Sequence, residues 1–204
     1  MEKVDKVDNE IELACIAIAA LGFGVDKITE GFYRDVAEHI RGGELYLAFE
    51  NSEPVAFRII SRKVEGVVYL AGAAKKPNSK RHLIREMTGQ ILEKENPQSV
   101  ITRTGNDYVL EEMMYLTSKV VPIEKEASEE TIELLAKCGL ADKRMRRESL
   151  VTPGYYENGP MINSKLGRPQ SKDPRVVDFM RKVMPDEEYF RGAAIILVGR
   201  RGGL

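Results

Sequence analysis

Three consecutive segments of alternating apolar residues, joined by short turns, constrain the fold more than any other feature of this 204-residue chain. Alternation with a period of two is typical of half-buried strands, and turns this short join antiparallel neighbours. The segments are ELYLAFE (44–50), VAFRIISRK (55–63) and VVYLAGAA (67–74), separated by NSEP (51–54) and by Glu65-Gly66. The sequence therefore predicts an antiparallel three-stranded meander.

Two helices are predicted ahead of the meander. The stretch 11–24 is apolar on most faces, which is typical of a helix that is buried or packed on a sheet. A second helix is expected to begin after Thr29, a good N-cap residue, and to end at Gly42-Gly43.

Helices and strands then alternate to the end of the chain. The patterns predict a helix from Pro77 to Glu95, a strand at 99–104, a helix with the core stripe Val109, Leu110, Met113 and Met114, a helix over 128–137, a helix beginning at Asp173-Pro174, and a strand at 193–199 buried on both faces. We expect a single α/β domain over residues 1–204, with a mixed, mainly antiparallel sheet flanked by helices.

Composition excludes several classes of function. The 31 Lys and Arg residues are balanced by 32 Asp and Glu residues, so there is no overall basic field and nucleic acid is not an expected partner. The only histidines are His39 and His82, and there are two cysteines. This supply is too small for a typical structural zinc site, and it provides little for a His-based catalytic triad. No metal is expected.

Cys15 and Cys138 each lie in an apolar helical stretch, so we predict two reduced, buried thiols in a cytosolic protein. The N-terminus MEKVDKVDNE is highly charged, and the apolar run after it is short and contains Glu12. No targeting or membrane-spanning segment is therefore expected, and a cytoplasmic location is predicted.

A basic turn between the third strand and the next helix carries the clearest functional signal. Small residues at 71–74 lead into this helix, whose cap is expected near Asn78 or Ser79. The turn and the first helical turns supply the basic residues Lys75, Lys76, Lys80, Arg81, His82 and Arg85. A helix N-terminus carries about half a positive charge, so cations there are unfavourable unless an anion neutralises them. The pattern predicts a phosphate site; the alternative is a solvated basic turn.

With this turn in place, the order of elements resembles the GNAT N-acyltransferase superfamily. In that family the strand before the turn hydrogen-bonds the pantetheine arm of acetyl-CoA, and a turn patterned Q/R-x-x-G-x-G/A wraps the pyrophosphate. The resemblance divides the chain into an acyl-CoA-binding core, 9–125, and a C-terminal part, 126–204. It implies acetyl-CoA or another acyl-CoA as co-substrate, and a small-molecule or peptide amine as acceptor.

The resemblance also implies which residues bind CoA: Ala73, Ala74, Lys75, Lys80, Arg81, His82, Leu83, Ile84 and Arg85. Here the phosphate pattern begins at Lys80 and places its two glycine positions at Leu83 and Arg85, so both glycines are missing. Glycine suits such a loop because a Cβ blocks close approach of the backbone to phosphate. Either the side chains take over the contact, or CoA binding has been lost.

The stretch ITRTGNDYVLEEMMYL (101–116) resembles the family's fifth strand and the helix after it. Asn106 matches an Asn that is common after that strand in the family. The tyrosine that serves the family as general acid would fall at Met113, and Tyr108 and Tyr115 flank that position here. The resemblance implies Asn106, Tyr108 and Tyr115 as catalytic candidates, with Tyr115 slightly favoured as the acid to the CoA thiolate; Tyr115 could instead be an ordinary amphipathic residue at a helix end.

Three further groups of polar residues have both a functional and a purely structural interpretation. Glu50, Glu53 and Glu65 could act as a general base, but their positions at strand ends predict a surface location. The basic run 143–148 is predicted to be a solvated face, with RNA or an acidic partner as the sharper alternative. The loop 151–174 is interpreted either as a substrate lid or pocket wall or as a surface excursion, and it contains Tyr155, Tyr156, Asn158, Asn163, Lys165 and Arg168.

Three functions remain open from the sequence. The first is an acyl-CoA-dependent N-acyltransferase. The second is a catalytically inactive, GNAT-shaped binding or regulatory module, which loss of the turn glycines would favour. The third, an RNA-binding accessory protein, is disfavoured by the near-zero net charge. A homodimer is left open.

Overall fold

The computed structural model describes residues 1–156 and 167–201. The chain divides into two compact units: the first consists of Met1–Ser61 and Tyr69–Asn96, and the second of Arg62–Val68 and Pro97–Leu204. The single domain expected from the sequence, with parts 9–125 and 126–204, stays a prediction.

The first unit is built around a meander covered by helices. Its elements are β1 (Glu2–Lys3), α1 (Asn9–Phe23), α2 (Glu30–Arg41), β2 (Glu44–Glu50), β3 (Glu53–Val64), β4 (Val67–Lys75) and α3 (Leu83–Glu95), with the ends of β3 and β4 nearest their turn grouped with the second unit. The strand order is β1-β2-β3-β4. The predicted meander is confirmed; the two-residue strand β1, antiparallel to β2, was not predicted.

The turn between β2 and β3 sets their register. Asn51 and Ser52 both have positive φ angles, 50° and 67°, which is the conformation of the two-residue hairpin turns that match strand twist. Glu50 consequently pairs with Glu53 across the turn. Both carboxylates lie exposed at the same end of the hairpin.

The N-terminal helices form as predicted. In α2, the Thr29 side chain accepts a hydrogen bond from the amide of Phe32, at 3.2 Å, and Val36 and Ile40 are buried. Helix α1 buries Cys15 and Ile16 among others, while Leu13 and Leu21 are more than half exposed. The helix is therefore buried on one side only.

One carboxylate joins these helices. Glu12 in α1 is 4% exposed and accepts two hydrogen bonds from the Arg41 guanidinium, both at 2.7 Å, and one from the Tyr33 hydroxyl, at 3.0 Å. The hydrogen bonds from Arg41 hold the pKa of Glu12 below its ordinary value. A carboxyl with a lowered pKa stabilises the fold at neutral pH, and this contribution is lost as the pH falls through the lowered pKa.

Replacing Glu12 with Gln is expected to destabilise the protein by about 1–2 kcal/mol at pH 7, since charge-assisted hydrogen bonds are lost but Arg41 is partly screened by solvent. Urea unfolding of both proteins measures the difference. It should be largest above the ordinary Glu pKa of about 4.3 and shrink towards acid pH. The exposed Glu93→Gln serves as the control. A difference between wild type and Glu12→Gln that is independent of pH would contradict this role.

Both cysteines are free and buried, as predicted: Cys15 is 0% exposed and Cys138 is 5% exposed. Burial raises the pKa of the Cys15 thiol to about 12 and also raises that of Cys138. Because the thiolate is the reactive form, we expect native-state labelling by a thiol reagent to be at least about 10²-fold slower than in urea. Labelling of either cysteine at the unfolded rate would refute this.

The second unit is organised on one fully buried strand. Its elements are β5 (Ser99–Thr104), α4 (Asp107–Leu116), β6 (Lys119–Val121), α5 (Glu129–Lys137), β7 (Val151–Thr152), α6 (Pro174–Val183), α7 (Asp186–Phe190) and β8 (Ala194–Arg200). Strand β8 pairs antiparallel with β5 on one side and with β6 and β7 on the other. The predicted strand buried on both faces is confirmed, as is the N-cap Asp173, and the helix expected over 128–137 begins at Glu129 after the N-cap Ser128. Strands β6 and β7 and helix α7 were not predicted.

The fold class is the predicted one: a mixed α/β fold with a mainly antiparallel sheet and flanking helices. Within residues 1–156 and 167–201, no helix is both long and apolar enough to cross a membrane.

Candidate functional site

The basic turn is longer than the sequence predicted. Helix α3 begins at Leu83, and its N-cap is His82, which makes no side-chain capping bond; the caps expected at Asn78 or Ser79 are wrong. Ser79 instead donates its hydroxyl hydrogen to the carbonyl of Lys76, at 2.7 Å, and its own carbonyl accepts from the Lys75 ammonium. These local bonds fold the chain into a turn before the helix can start.

Most of the basic residues therefore lie before α3, and not in its first turns as was expected. Lys80, Arg81 and His82 precede the helix and are exposed, and only Arg85 lies in its first turn. The Lys80 ammonium contacts Glu86 at 2.8 Å, whereas Arg81 has no hydrogen-bond or ion-pair partner among the residues the structure describes. An exposed pair such as Lys80–Glu86 is worth at most about 1 kcal/mol, so an anionic ligand can displace it.

Helix α3 and strand β4 are both firmly placed within the first unit. Arg58 in β3 is 3% exposed and donates from Nε and a terminal nitrogen to the Thr88 hydroxyl of α3, at 3.0 and 2.7 Å. A Cβ on Gly22 of α1 would lie 2.7 Å from the carbonyl oxygen of Lys75, so only glycine lets the helix approach the end of β4 this closely. Ala74 is buried beside it, and Ala73 and Lys75 are half-buried.

A groove of about 290 Å³ opens between the β2–β3 turn and the basic turn. It is lined by Glu50, Asn51, Glu53, Val55, Lys76, Asn78 and Ser79. A Glu50 carboxylate oxygen lies 3.4 Å from the amide nitrogen of Lys80, and Glu53 lies 3.4 Å from the Lys76 ammonium. Two carboxylates beside one cation do not attract phosphate, so an anion site is better placed at Arg81 and the first turn of α3.

The catalytic candidates lie on α4 of the second unit and immediately before it. Asn106 is the N-cap, and its side-chain oxygen accepts from the amide of Tyr108 at 2.9 Å, which leaves its amide nitrogen available to donate. Tyr108 and Tyr115 are 49% and 69% exposed. Residues seven apart share one helix face, and these two are separated by about 10 Å along the axis, so the two side chains leave α4 two helical turns apart. Met113, where the family Tyr would fall, is fully buried.

The start of α4 is held by a buried charged cluster that the sequence did not reveal. Asp107 is 1% exposed and accepts from the Arg168 guanidinium at 3.3 Å, and Arg168 also donates to the carbonyl of Met184 at 2.7 Å. The Tyr189 ring lies beside both Arg168 and Gly105, whose Cβ position is 3.1 Å from the ring. An acidic residue in a helix's first turn is ordinary, so nothing local marked Asp107 as buried.

The C-terminal loop has several structural roles. Arg168 is a buried ion-pair residue whose guanidinium contacts Asp107, and the interpretation of the loop as a lid or pocket wall stays a prediction. Tyr155 stacks under the Arg103 guanidinium at 4.1 Å, and the amide of Tyr156 donates to the carbonyl of Gly192. Asn158, Asn163 and Lys165 lie outside the described residues.

The remaining polar candidates are on the surface. Glu50, Glu53 and Glu65 are exposed, as predicted. In the basic run 143–148, each of three arginines is paired with a carboxylate: Arg144 with Asp142, Arg146 with Glu188 and Arg147 with Glu129. Over residues 1–156 and 167–201, no cluster of His, Cys, Asp and Glu is suited to a metal ion.

This chain resembles known proteins in its three-dimensional structure and not detectably in its sequence. No protein-family model matches the sequence, and no curated protein sequence matches it. The structure is similar to the ribosomal-protein-S18-alanine N-acetyltransferase from Escherichia coli, with 13% identity, a TM-score of 0.52, and coverage of 100% of this chain and 96% of that one.

Two further solved structures are similar at lower scores. The IAA acetyltransferase from Bacillus cereus is 10% identical over 98% of this chain and 97% of its own, with a TM-score of 0.49. A GNAT family acetyltransferase from Elizabethkingia anophelis with acetyl-CoA bound is 9% identical over 98% and 94%, with a TM-score of 0.47. The similarity to the Escherichia coli structure extends over nearly the full length of both chains. The chain has the fold of the GNAT acetyltransferases, and its basic turn lacks the two glycines of the family pattern.

Proposed function

We propose that the protein is an acyl-CoA-dependent N-acyltransferase that moves an acetyl or other acyl group from CoA to an amine. The observation that carries the proposal is the full-length structural similarity to the Escherichia coli N-acetyltransferase. The fold alone does not define an activity, so the side chains at the basic turn and on α4 provide the chemical support.

The residues at the basic turn fit a CoA pyrophosphate through their side chains. Arg81 is exposed and has no partner among the described residues, and Lys80 is held only by an exposed carboxylate. The N-terminal end of α3 adds the positive end of a 13-residue helix. Arginine binds phosphate with paired, directional hydrogen bonds, which compensates for the absence of glycine amides close to the ligand.

The reaction is direct transfer. The amine nitrogen attacks the thioester carbonyl, the C–N bond forms, the C–S bond breaks and the amine proton leaves to solvent. In the proposed roles, backbone N–H groups of β4 polarise the carbonyl, and Tyr115 or Tyr108 gives its proton to the departing thiolate and regains one from solvent. Neither cysteine takes part, because both thiols are buried.

The acceptor belongs to the class of primary amines, on a peptide or a small molecule. The similar Escherichia coli protein is named for an alanine of ribosomal protein S18, so peptide N-termini form the first group to test. The two buried free cysteines suit a reducing compartment, and we propose the cytoplasm as the location. The homodimer is retained as a proposal to be checked by light scattering.

The test is the release of free CoA thiol from acetyl-CoA in the presence of a panel of peptides and small amines, with mass spectrometry of the acceptors. We expect acetylation of at least one amine, dependent on the protein. CoA binding without transfer to any acceptor would identify an inactive binding module instead. Absence of both binding and transfer would refute the proposal.

A further inference from the structure

We propose that Asp107 and Arg168 are positioning residues for acyl transfer, which hold Asn106 and Tyr108 in place at the start of α4. The inference rests on the proposed function. Neither residue stands among the expected catalytic or CoA-binding residues, and 61 positions separate them in the chain.

The first support is the location of the pair. Asp107 is the first residue of α4, directly between Asn106 and Tyr108, and its side chain is 1% exposed. The Arg168 side chain is 3% exposed, and its Nε and one terminal nitrogen each lie 3.3 Å from the same oxygen of Asp107. Movement of Asp107 must therefore move both neighbours.

The second support is that Arg168 is itself fixed from three other directions. Its other terminal nitrogen donates to the carbonyl of Met184 at 2.7 Å and to Asp186 at 3.3 Å, and its guanidinium lies 5.1 Å from the centre of the Tyr189 ring. Tyr189 in turn packs on Gly105, the residue that precedes Asn106. The residues on either side of Asn106 are therefore both held in place, Gly105 by the Tyr189 ring and Asp107 by Arg168.

A second side-chain contact holds α4 one helical turn after the Asp107–Arg168 pair. Ser171 is 7% exposed and donates its hydroxyl hydrogen to the Glu111 carboxylate of α4 at 2.6 Å. Residues 107 and 111 share one face of α4, whereas Tyr108 projects from an exposed face. The buried face anchors the helix, and the Tyr108 side chain stays 49% exposed.

Single and double replacements of a buried ion pair distinguish a positioning role from a role in stability alone. Removing one partner leaves an uncompensated buried charge, whereas removing both charges with residues of similar size often restores stability. The positional constraint on Asn106 and Tyr108 is not restored by neutral side chains. A displacement of about 1 Å at a reacting group can cost roughly 10²-fold in rate.

The experiment compares Asp107→Asn, Arg168→Met, the double variant, and the control Arg191→Met, whose side chain is 76% exposed. Both single variants should unfold at lower urea concentration, and the double variant should recover most of the loss. We expect kcat to stay at least about 10-fold below wild type in the double variant, with the CoA Kd unchanged within about 2-fold. Amide hydrogen exchange at residues 106–108 should be faster in the double variant than in the wild type, and exchange at the other protected amides should be unchanged.

Recovery of kcat together with stability in the double variant would overturn the proposal, since the pair would then be merely structural. Unchanged amide exchange at 106–108 would overturn it independently of activity. A wild-type protein that binds CoA but acetylates nothing would instead contradict the proposed function, so the two failures are distinguishable.

Discussion

Replacing Tyr115 with Phe is expected to lower kcat by about 10²–10⁴-fold while the CoA Kd changes little, because in the proposed mechanism its hydroxyl supplies the proton that the departing thiolate takes. The ring is retained, so packing at the C-terminal end of α4 is preserved. Steady-state kinetics with the acceptor found in the amine panel, together with calorimetry of CoA binding, measure both quantities.

Tyr108→Phe is the paired variant, because the two tyrosines lie two helical turns apart on α4 and one acid is enough for the departing thiolate. We expect the large effect in one variant only, with Tyr115 slightly favoured. Tyr33→Phe is the control, since its hydroxyl is bonded to Glu12 in the first unit. Wild-type turnover in both Tyr108→Phe and Tyr115→Phe would refute a tyrosine acid on this helix.

The combined replacement of Lys80, Arg81 and Arg85 by Ala is expected to weaken CoA binding by about 10²-fold or more. Each charge-assisted bond to phosphate is worth about 1.5–3 kcal/mol, and the contributions are not additive. Calorimetric titration with CoA measures the change. Urea unfolding of the ligand-free variant is measured alongside, because Lys80 contacts Glu86 and Arg85 also has a partner in the folded protein.

The matched control removes three exposed lysines of the same unit, Lys6, Lys27 and Lys94, and so changes the net charge equally. Its CoA Kd should stay within about 3-fold of wild type, since only long-range, screened attraction is altered. Equal weakening in both triple variants would mean that net charge, and not the basic turn, governs binding. An unaltered Kd in the turn variant would remove the turn from the CoA site.

The parts of the fold that could be predicted depend on local chemistry. Thr29, Ser128 and Asp173 cap helices through bonds to amides two or three residues away, and strand alternation in 44–74 is a property of consecutive residues. The start of α3 was missed because the Ser79 hydroxyl bonds to the carbonyl of Lys76, a local alternative to capping that composition does not distinguish.

The candidate site was less predictable for a different reason. The side chains that fix α4 come from residues 168, 171 and 189, which no periodicity connects to Asp107. A glycine inside a helical pattern, such as Gly22, could have signalled close backbone packing. The roles of Asn106, Tyr108, Tyr115 and the residues of the turn remain predictions, since they come from resemblance and not from a bound ligand.

Thermal unfolding with and without CoA tests the central claim most directly. A ligand at 100 times its Kd stabilises a folded protein by about 2.7 kcal/mol, which for a chain of this size corresponds to a rise in Tm of roughly 5–11 °C. We predict such a rise with CoA and with acetyl-CoA, and a much smaller one with adenosine, which lacks the pyrophosphate. An unchanged Tm at millimolar CoA would contradict the account.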